Sequence, residues 1–196
     1  MTFLPVSRET LIDLYFPTTR AQIERYAEFL GTVGIERGLV GPREGDKIWE
    51  RHIFNSLPVI SLIPEGSSIV DIGSGAGLPG IPIALARPDL KVSLIEPLQR
   101  RVDFLKEAVE GLEILVLRGR AQDFTLKADF VTARAVAPLE KLKSISWHLV
   151  KKGGALLAIK GESAAQEAAT VVGAYLHEIE LEGLPVGRVI SLPKAG

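Results

Sequence analysis

Between Asp71 and Gly80 the chain reads Asp-Ile-Gly-Ser-Gly-Ala-Gly-Leu-Pro-Gly, with four glycines in the eight residues from Gly73. The apolar pair Ile69–Val70 leads into Asp71, and a helix-forming segment, Ile81 to Arg87, follows. This is a strand passing into a helix through a loop with almost no side chains. Glycine permits positive φ and lets a ligand lie against the main chain, but it costs conformational entropy, so four together require a reason. The start of the following helix adds unpaired N–H groups and a positive dipole end. The pattern predicts a cofactor cradle at the carboxyl end of a strand in an α/β sheet.

The rest of the chain agrees with that class. After residue 67, apolar runs alternate with helical patterns. Strands are expected at Ser68–Ile72, Lys91–Ile95, Ile114–Leu117, Asp129–Thr132 and Gly154–Ile159, and helices at Leu78–Arg87, Leu98–Glu110, Leu139–Val150 and Ser163–Ala174. Such alternation implies a mostly parallel, twisted, Rossmann-like sheet with helices on both faces. Tyr175–Leu181 and Arg188–Leu192 read as two closing strands. Their connection is too short for a crossover, so they are expected to be antiparallel.

Residues 1–66 read as a separate N-terminal helical cap, with residues 67–196 as the sheet domain. Leu11, Leu14 and Tyr15 recur at helical spacing, as do Ile23, Tyr26, Ala27 and Leu30. A glycine-rich stretch, Gly31 to Gly45, follows. A third helix is expected over Asp46–Leu57, with Asp46 as its N-cap.

Composition closes off several classes. Hydrophobic content of 46% and charged content of 24% are ordinary for a soluble globular protein. No apolar run approaches the roughly 18 residues of a membrane span. The start of the chain lacks the basic and apolar pattern of a signal peptide. A cytoplasmic, membrane-free protein is expected. With no cysteine and with His52, His148 and His177 far apart, neither a disulfide nor a metal site is expected. A net charge of −1 means that any nucleic-acid partner is held by a local patch.

The glycine loop admits two readings. Gly75-Ala-Gly77-Leu-Pro-Gly80 matches G-x-G-x-x-G, the dinucleotide-binding pattern. In that pattern the first glycine closes the turn directly after the strand, whereas here Gly73 does so and Leu78 stands where the third glycine belongs. Acid-x-Gly-x-Gly-x-Gly, from Asp71 to Gly77, fits better, and resembles motif I of the S-adenosylmethionine (SAM) dependent methyltransferases. Glu96, closing the run Val92–Glu96, suits either reading, since a carboxylate at that strand end accepts both hydroxyls of a ribose. Gly73, Ser74, Gly75, Gly77, Leu78 and Glu96 are therefore candidate cofactor contacts.

Other candidates sit where loops leave the expected strands. Ala121 and Gln122, in Gly-Arg-Ala-Gln-Asp, offer backbone and amide groups to an adenine. Arg134 stands alone among small apolar residues in Thr-Ala-Arg-Ala-Val-Ala-Pro, which favours an active-site role over a structural ion pair with Asp71 or Glu96. His52 and Asn55 share one side of the expected third helix, and that side is expected to face the cleft. Lys160 ends the fifth strand. Arg134, His52 and Lys160 are the candidate catalytic residues. Arg100, Arg101 and Lys106 form a possible basic rim.

Taken together, the chain resembles the G-type small-subunit ribosomal RNA methyltransferases, also called glucose-inhibited division protein B. The resemblance rests on Arg51-His-Ile-Phe-Asn-Ser-Leu57, Asp71–Pro82, Arg100–Leu105, Gly119–Gln122, Thr132–Leu139 and Lys152-Gly-Gly…Lys160-Gly161, in order along the chain. It implies SAM as cofactor, with contacts at Gly73, Leu78, Ala121, Gln122 and Arg134. It implies methylation of guanine N7 in 16S rRNA, near the decoding region. Two departures stand out. Gln122 replaces the family's usual glutamate, and Gly31–Val40 replaces a common Trp-Asn…Asn-Leu-Thr segment.

Guanine N7 carries an in-plane lone pair and needs no deprotonation. Alignment and electrostatics, rather than a strong base, are then the enzyme's task. Arg134 is accordingly expected on the cofactor carboxylate, a phosphate or O6, and not against N7. With no net positive charge, a monomer acting on a structured subunit or assembly particle rather than on naked RNA is expected. The alternatives are an NAD-dependent oxidoreductase, a non-catalytic SAM- or RNA-binding module, and a methyltransferase of another substrate.

Overall fold

A computed structural model describes residues 6–196. Three helices come first: α1 (Arg8–Tyr15), α2 (Arg20–Gly31) and the short α3 (Val33–Glu36). Irregular turns over residues 45–62 lead to β1 (Ser68–Ile72). Then follow α4 (Gly80–Ala86), β2 (Lys91–Glu96), α5 (Gln99–Ala108), β3 (Leu115–Arg118), β4 (Ala128–Arg134) and α6 (Leu139–Ser146). The chain closes with β5 (Val150–Lys160), α7 (Ala164–Ala169), β6 (Tyr175–Ile179) and β7 (Gly187–Pro193).

The seven strands form one sheet in the order β3-β2-β1-β4-β5-β7-β6. β1 to β5 pair in parallel, and β7 inserts antiparallel between β5 and β6. The order reverses beside β1, so the carboxyl ends of β1 and β4 flank the crevice where such sheets bind ligands. The parity of each strand makes two cores. Ile69, Val92, Leu94 and Leu157 pack with α1, α2, α4 and α5 on one face. Val70, Ile72, Ile95, Val131 and Leu156 pack with α6 and its neighbours on the other. The N-terminal helices thus share a core with one face of the sheet.

The strands and their parallel and antiparallel senses match the sequence pattern. The helices over 78–87, 139–150 and 163–174 are shorter than the pattern suggests. Leu14 is 44% exposed; the buried face of α1 is Leu11 and Ile12, followed by Phe16. The third N-terminal helix is corrected most. Gly45–Lys47 is a 3₁₀ turn, Ile48–Ile53 a π-helical turn and Phe54–Ser56 another 3₁₀ turn. Asp46 lies inside the first of these and caps nothing. Among the described residues, no helix is long and apolar enough to cross a membrane.

Candidate active site

Three loop glycines serve three different ends. Gly73 turns the chain out of β1 at φ 64°, its N–H donating to Ile95 O at 2.8 Å. A Cβ there would lie 2.9 Å from Val136 Cγ2, because the loop after β4 crosses directly over it. Gly75 (φ 61°) lines a cavity, and its nearest protein atom to an added Cβ is Gly73 O at 3.8 Å. A side chain at 75 would therefore occupy the cavity itself. Gly77 (φ 98°) faces inward, where a Cβ would meet Ile81 Cδ1 at 2.3 Å.

The loop is fixed from both sides of the sheet edge. Glu96, 1% exposed, accepts the Gly75 N–H on Oε2 at 2.9 Å and the Leu98 N–H on Oε1 at 2.9 Å. From α2, the buried Tyr26 hydroxyl donates to Ala76 O at 2.9 Å. Burial pushes the Tyr26 pKa upward, so this donor stays protonated. Tyr26→Phe keeps the ring and deletes the donor. It is expected to cost about 1–2 kcal/mol in urea unfolding. An unchanged midpoint would show the bond to be dispensable.

The helix start is not the open donor array that the sequence suggests. α4 has seven residues, and its first N–H, on Gly80, donates to Asp71 Oδ2 at 3.3 Å. Asp71 is fully buried, and its Oδ1 accepts from Thr132 Oγ1 at 3.0 Å. Burial pushes its pKa up to about 7, against the opposing effect of these hydrogen bonds and of Arg134. The folded protein therefore holds this proton more tightly than the unfolded chain. That contribution to stability is complete below about pH 4 and is lost as pH rises toward 7. The stability difference between wild type and Asp71→Asn should consequently tilt by on the order of a few kcal/mol from pH 4 to 8, against wild type. Urea melts at stepped pH measure it; parallel curves would contradict the shift.

The cavity, of about 200 Å³, lies at the carboxyl ends of β1 and β4. Gly73, Ser74, Gly75, Leu78, His52 and Arg134 line it, together with Leu39, Val40, Arg101 and Ala135. Arg134 ends β4, half-buried. Its Nη1 donates to His52 O at 3.2 Å and Arg51 O at 3.4 Å, and its Nη2 lies 3.3 Å from His52 Nδ1. Burial lowers the Arg134 pKa, while Tyr26 and Asp71 act in the opposite direction. None of these contacts is a salt bridge, so the guanidinium faces the cavity with only neutral direct partners. Ala135 follows at φ 54°, the one non-glycine residue in the left-handed region among those described.

Other candidates fall outside the cavity. Ala121 is buried and Gln122 exposed on a 3₁₀ turn beyond β3, at the same sheet edge as Glu96. Lys160 is not brought to the cavity; its Nζ donates to Ala137 O at 2.9 Å and Glu167 Oε1 at 2.7 Å, tying the β4 loop to α7. Asn55 is exposed, because the π-helical turn breaks the i, i+3 register with His52. Leu39, Val40 and Ala135 carried no chemical signal in the sequence. Larger grooves, of about 700 Å³ beside α1 and α2 and about 520 Å³ at the amino end of the sheet, contain none of the loop glycines.

The donor set fits an adenosyl cofactor carrying an amino-acid group. The cradle at Gly75 is one a Cβ would fill, and the buried Nε of Arg101, a lining residue, lacks a hydrogen-bond partner.

Residues 19–182 match the family model described as rRNA small subunit methyltransferase G. The ribosomal RNA small subunit methyltransferase G of Mycobacterium avium is 55% identical over 195 residues, covering 96% of this chain and 78% of its own. That of Mycolicibacterium gilvum is 51% identical over 171 residues, covering 84% and 75%. Among solved structures, a methyltransferase from Pyrococcus furiosus superposes with a TM-score of 0.57 at 12% identity, over 71% of this chain and 81% of its own. A ribosomal protein L11 methylase from Lactobacillus delbrueckii superposes at 0.55 and 16%, over 71% and 77%. At those identities the likeness is one of fold.

Proposed function

The chain belongs to the rRNA small subunit methyltransferase G family, and from that premise we propose that it transfers a methyl group from SAM to N7 of a guanine in 16S rRNA. The observation that carries this reading is the meeting of the Gly73–Gly75 cradle with Arg134 and His52 in one cavity. Family membership sets aside the oxidoreductase alternative.

Held by the Gly73–Gly75 cradle, SAM would supply an electrophilic sulfonium methyl to the N7 lone pair, with the neutral thioether as the leaving group. Glu96 holds the cradle through Gly75 and keeps lone pairs for ribose hydroxyls. Leu78 and Val40 wall the cavity with apolar surface and exclude water. Arg134, with neutral direct partners, binds an anionic or carbonyl group: the cofactor carboxylate, an RNA phosphate or O6. Pressed against N7 it would oppose the positive charge that develops on the purine. Ala121 and Gln122 flank the adenine at the β3 edge, where the amide replaces a carboxylate as acceptor.

Residues 1–66 serve as the substrate-side cap and 67–196 as the SAM-binding unit, a reading supported by Leu39, Val40 and His52 at the cavity wall. The RNA is presented as a structured subunit or assembly particle, a reading supported by the net charge of −1, which gives weak attraction to naked RNA, and the protein acts as a cytoplasmic monomer.

The test is transfer of labelled methyl from SAM to small subunits lacking the modification, with modified subunits and a short naked RNA as comparisons. Label recovered as 7-methylguanosine from the unmodified subunits alone is the expected result. No transfer, with SAM binding intact, would overturn the substrate assignment.

A further inference from the structure

Glu44 lies in the stretch before the π-helical turn, in a region that the sequence pattern marks only as glycine-rich. Its carboxylate is 23% exposed and bridges two consecutive residues of that turn. Oε1 accepts from Arg51 Nη1 at 2.9 Å, and Oε2 lies 3.3 Å from His52 Nε2. On the far side of the same imidazole, Nδ1 lies 3.3 Å from Arg134 Nη2. All three groups that hold Arg134, namely Arg51 O, His52 O and His52 Nδ1, belong to the two residues that Glu44 bridges.

The chemistry of the ring fixes the direction of this chain of contacts. A guanidinium has donors and no acceptor, so Nδ1 must be the acceptor toward Arg134. The neutral ring then carries its proton on Nε2, facing the carboxylate. Burial and the Arg134 charge lower the His52 pKa, which keeps the ring neutral at physiological pH. Nε2 is buried, 3.3 Å from Oε2 and without any other hydrogen-bond partner among the described residues, so the carboxylate is the group this proton faces. Without Glu44 the ring can exchange tautomers, which places an N–H donor against Arg134, or turn over, which places a ring carbon there; either change removes the acceptor.

We propose that Glu44 is a positioning residue, holding His52 in its Nε2–H form and thereby aiming the Arg134 guanidinium into the cavity. The proposal rests on the methyl-transfer reading above for its effect on rate, but not for its effect on the ring.

Glu44→Ala and Glu44→Gln, in the full chain, test it. Glutamine keeps an acceptor for Nε2–H and loses only the charge; alanine loses both. With ¹⁵N-labelled histidine, wild type should show His52 as the Nε2–H tautomer in nuclear magnetic resonance spectra. Glu44→Ala should show a mixture, and Glu44→Gln the wild-type form. Methyl transfer to unmodified small subunits should fall about tenfold in kcat for Glu44→Ala, equivalent to about 1.4 kcal/mol of transition-state stabilisation lost with the aim of one guanidinium. Glu44→Gln should stay within about threefold of wild type. The Arg51 side of the pair is exposed, so its loss contributes little to folding, and all three proteins should show a single cooperative melting transition. An unchanged tautomer or an unchanged kcat in Glu44→Ala overturns the proposal, as does a loss that glutamine fails to restore. If wild type itself transfers no methyl, the functional reading fails, and the tautomer result decides the role of Glu44 alone.

Discussion

Arg134→Ala is expected to lower methyl transfer at saturating SAM and unmodified subunits by about 100-fold, or roughly 2.7 kcal/mol of transition-state stabilisation. The size follows from what the guanidinium faces. Its three direct partners are two main-chain carbonyls and a neutral imidazole nitrogen, and the one carboxylate that acts on it, Asp71, is bound to Gly80 and Thr132 instead. A half-buried cation so arranged interacts strongly with a ligand anion, because little water screens it. Alanine removes that interaction and also frees the carbonyls of Arg51 and His52, so loosening of the π-helical turn is a second route to the same loss. Arg134→Lys separates the two. Lysine keeps the charge but has no planar fork to span two carbonyls and Nδ1. If the charge dominates, lysine should recover about tenfold of the activity; if the fork dominates, it should resemble alanine. An alanine variant with unchanged rate and normal affinity for both SAM and subunits would remove Arg134 from the active site altogether.

What the sequence discloses of this site is what local pattern encodes. Apolar runs locate β1 and β2, and the acids that end them, Asp71 and Glu96, are found by position. The glycines announce a cradle, and an arginine isolated among small residues announces Arg134. The remaining features depend on contacts distant in sequence. Glu96 spends its oxygens on Gly75 and Leu98 before any ribose arrives, and Asp71 occupies the first N–H of α4. Neither follows from strand periodicity. The 45–56 segment looks helical because its apolar residues suit a 3.6-residue period. Yet the segment folds as 3₁₀ and π-helical turns, and two carbonyls of the π-helical turn accept from Arg134, more than 80 residues away. That single departure explains why Asn55 is exposed while His52 reaches the cavity. Glu44, which carries no signal in the sequence, meets both Arg51 and His52 of that turn. Lys160 ends β5 at the carboxyl edge of the sheet, as its position predicts, but its ammonium is taken by Glu167 and Ala137 O, which only the packing of α7 determines.

Gly77→Ala is the second large effect, and it arises from packing rather than from chemistry. At φ 98° an alanine is strained by about 1–2 kcal/mol. The added Cβ would lie 2.3 Å and 2.8 Å from Cδ1 and Cγ1 of Ile81, and 3.2 Å from the Tyr26 hydroxyl. Ile81 is 0% exposed and Tyr26 1%, so neither has solvent to move into, and overpacking adds about 1–3 kcal/mol. A total of about 3 kcal/mol lowers the melting temperature by roughly 6–12 °C in a domain of this size. Gly66→Ala is the control. It has a similar positive φ, 71°, but its Cβ would meet no atom within 4 Å, so only the conformational cost applies and the melting temperature should fall by no more than about half as much. The same crowding pushes on Tyr26, whose hydroxyl holds Ala76 O, and on the start of α4, and so shifts the cradle against Glu96. SAM affinity, measured by titration calorimetry below the melting range, should therefore fall at least tenfold in Gly77→Ala and be unchanged in Gly66→Ala. Equal melting temperatures for the two variants would mean that Ile81 yields freely. Equal affinities would mean that the cradle is set by Glu96 alone, with the helical segment at the N-terminus taking no part in shaping it.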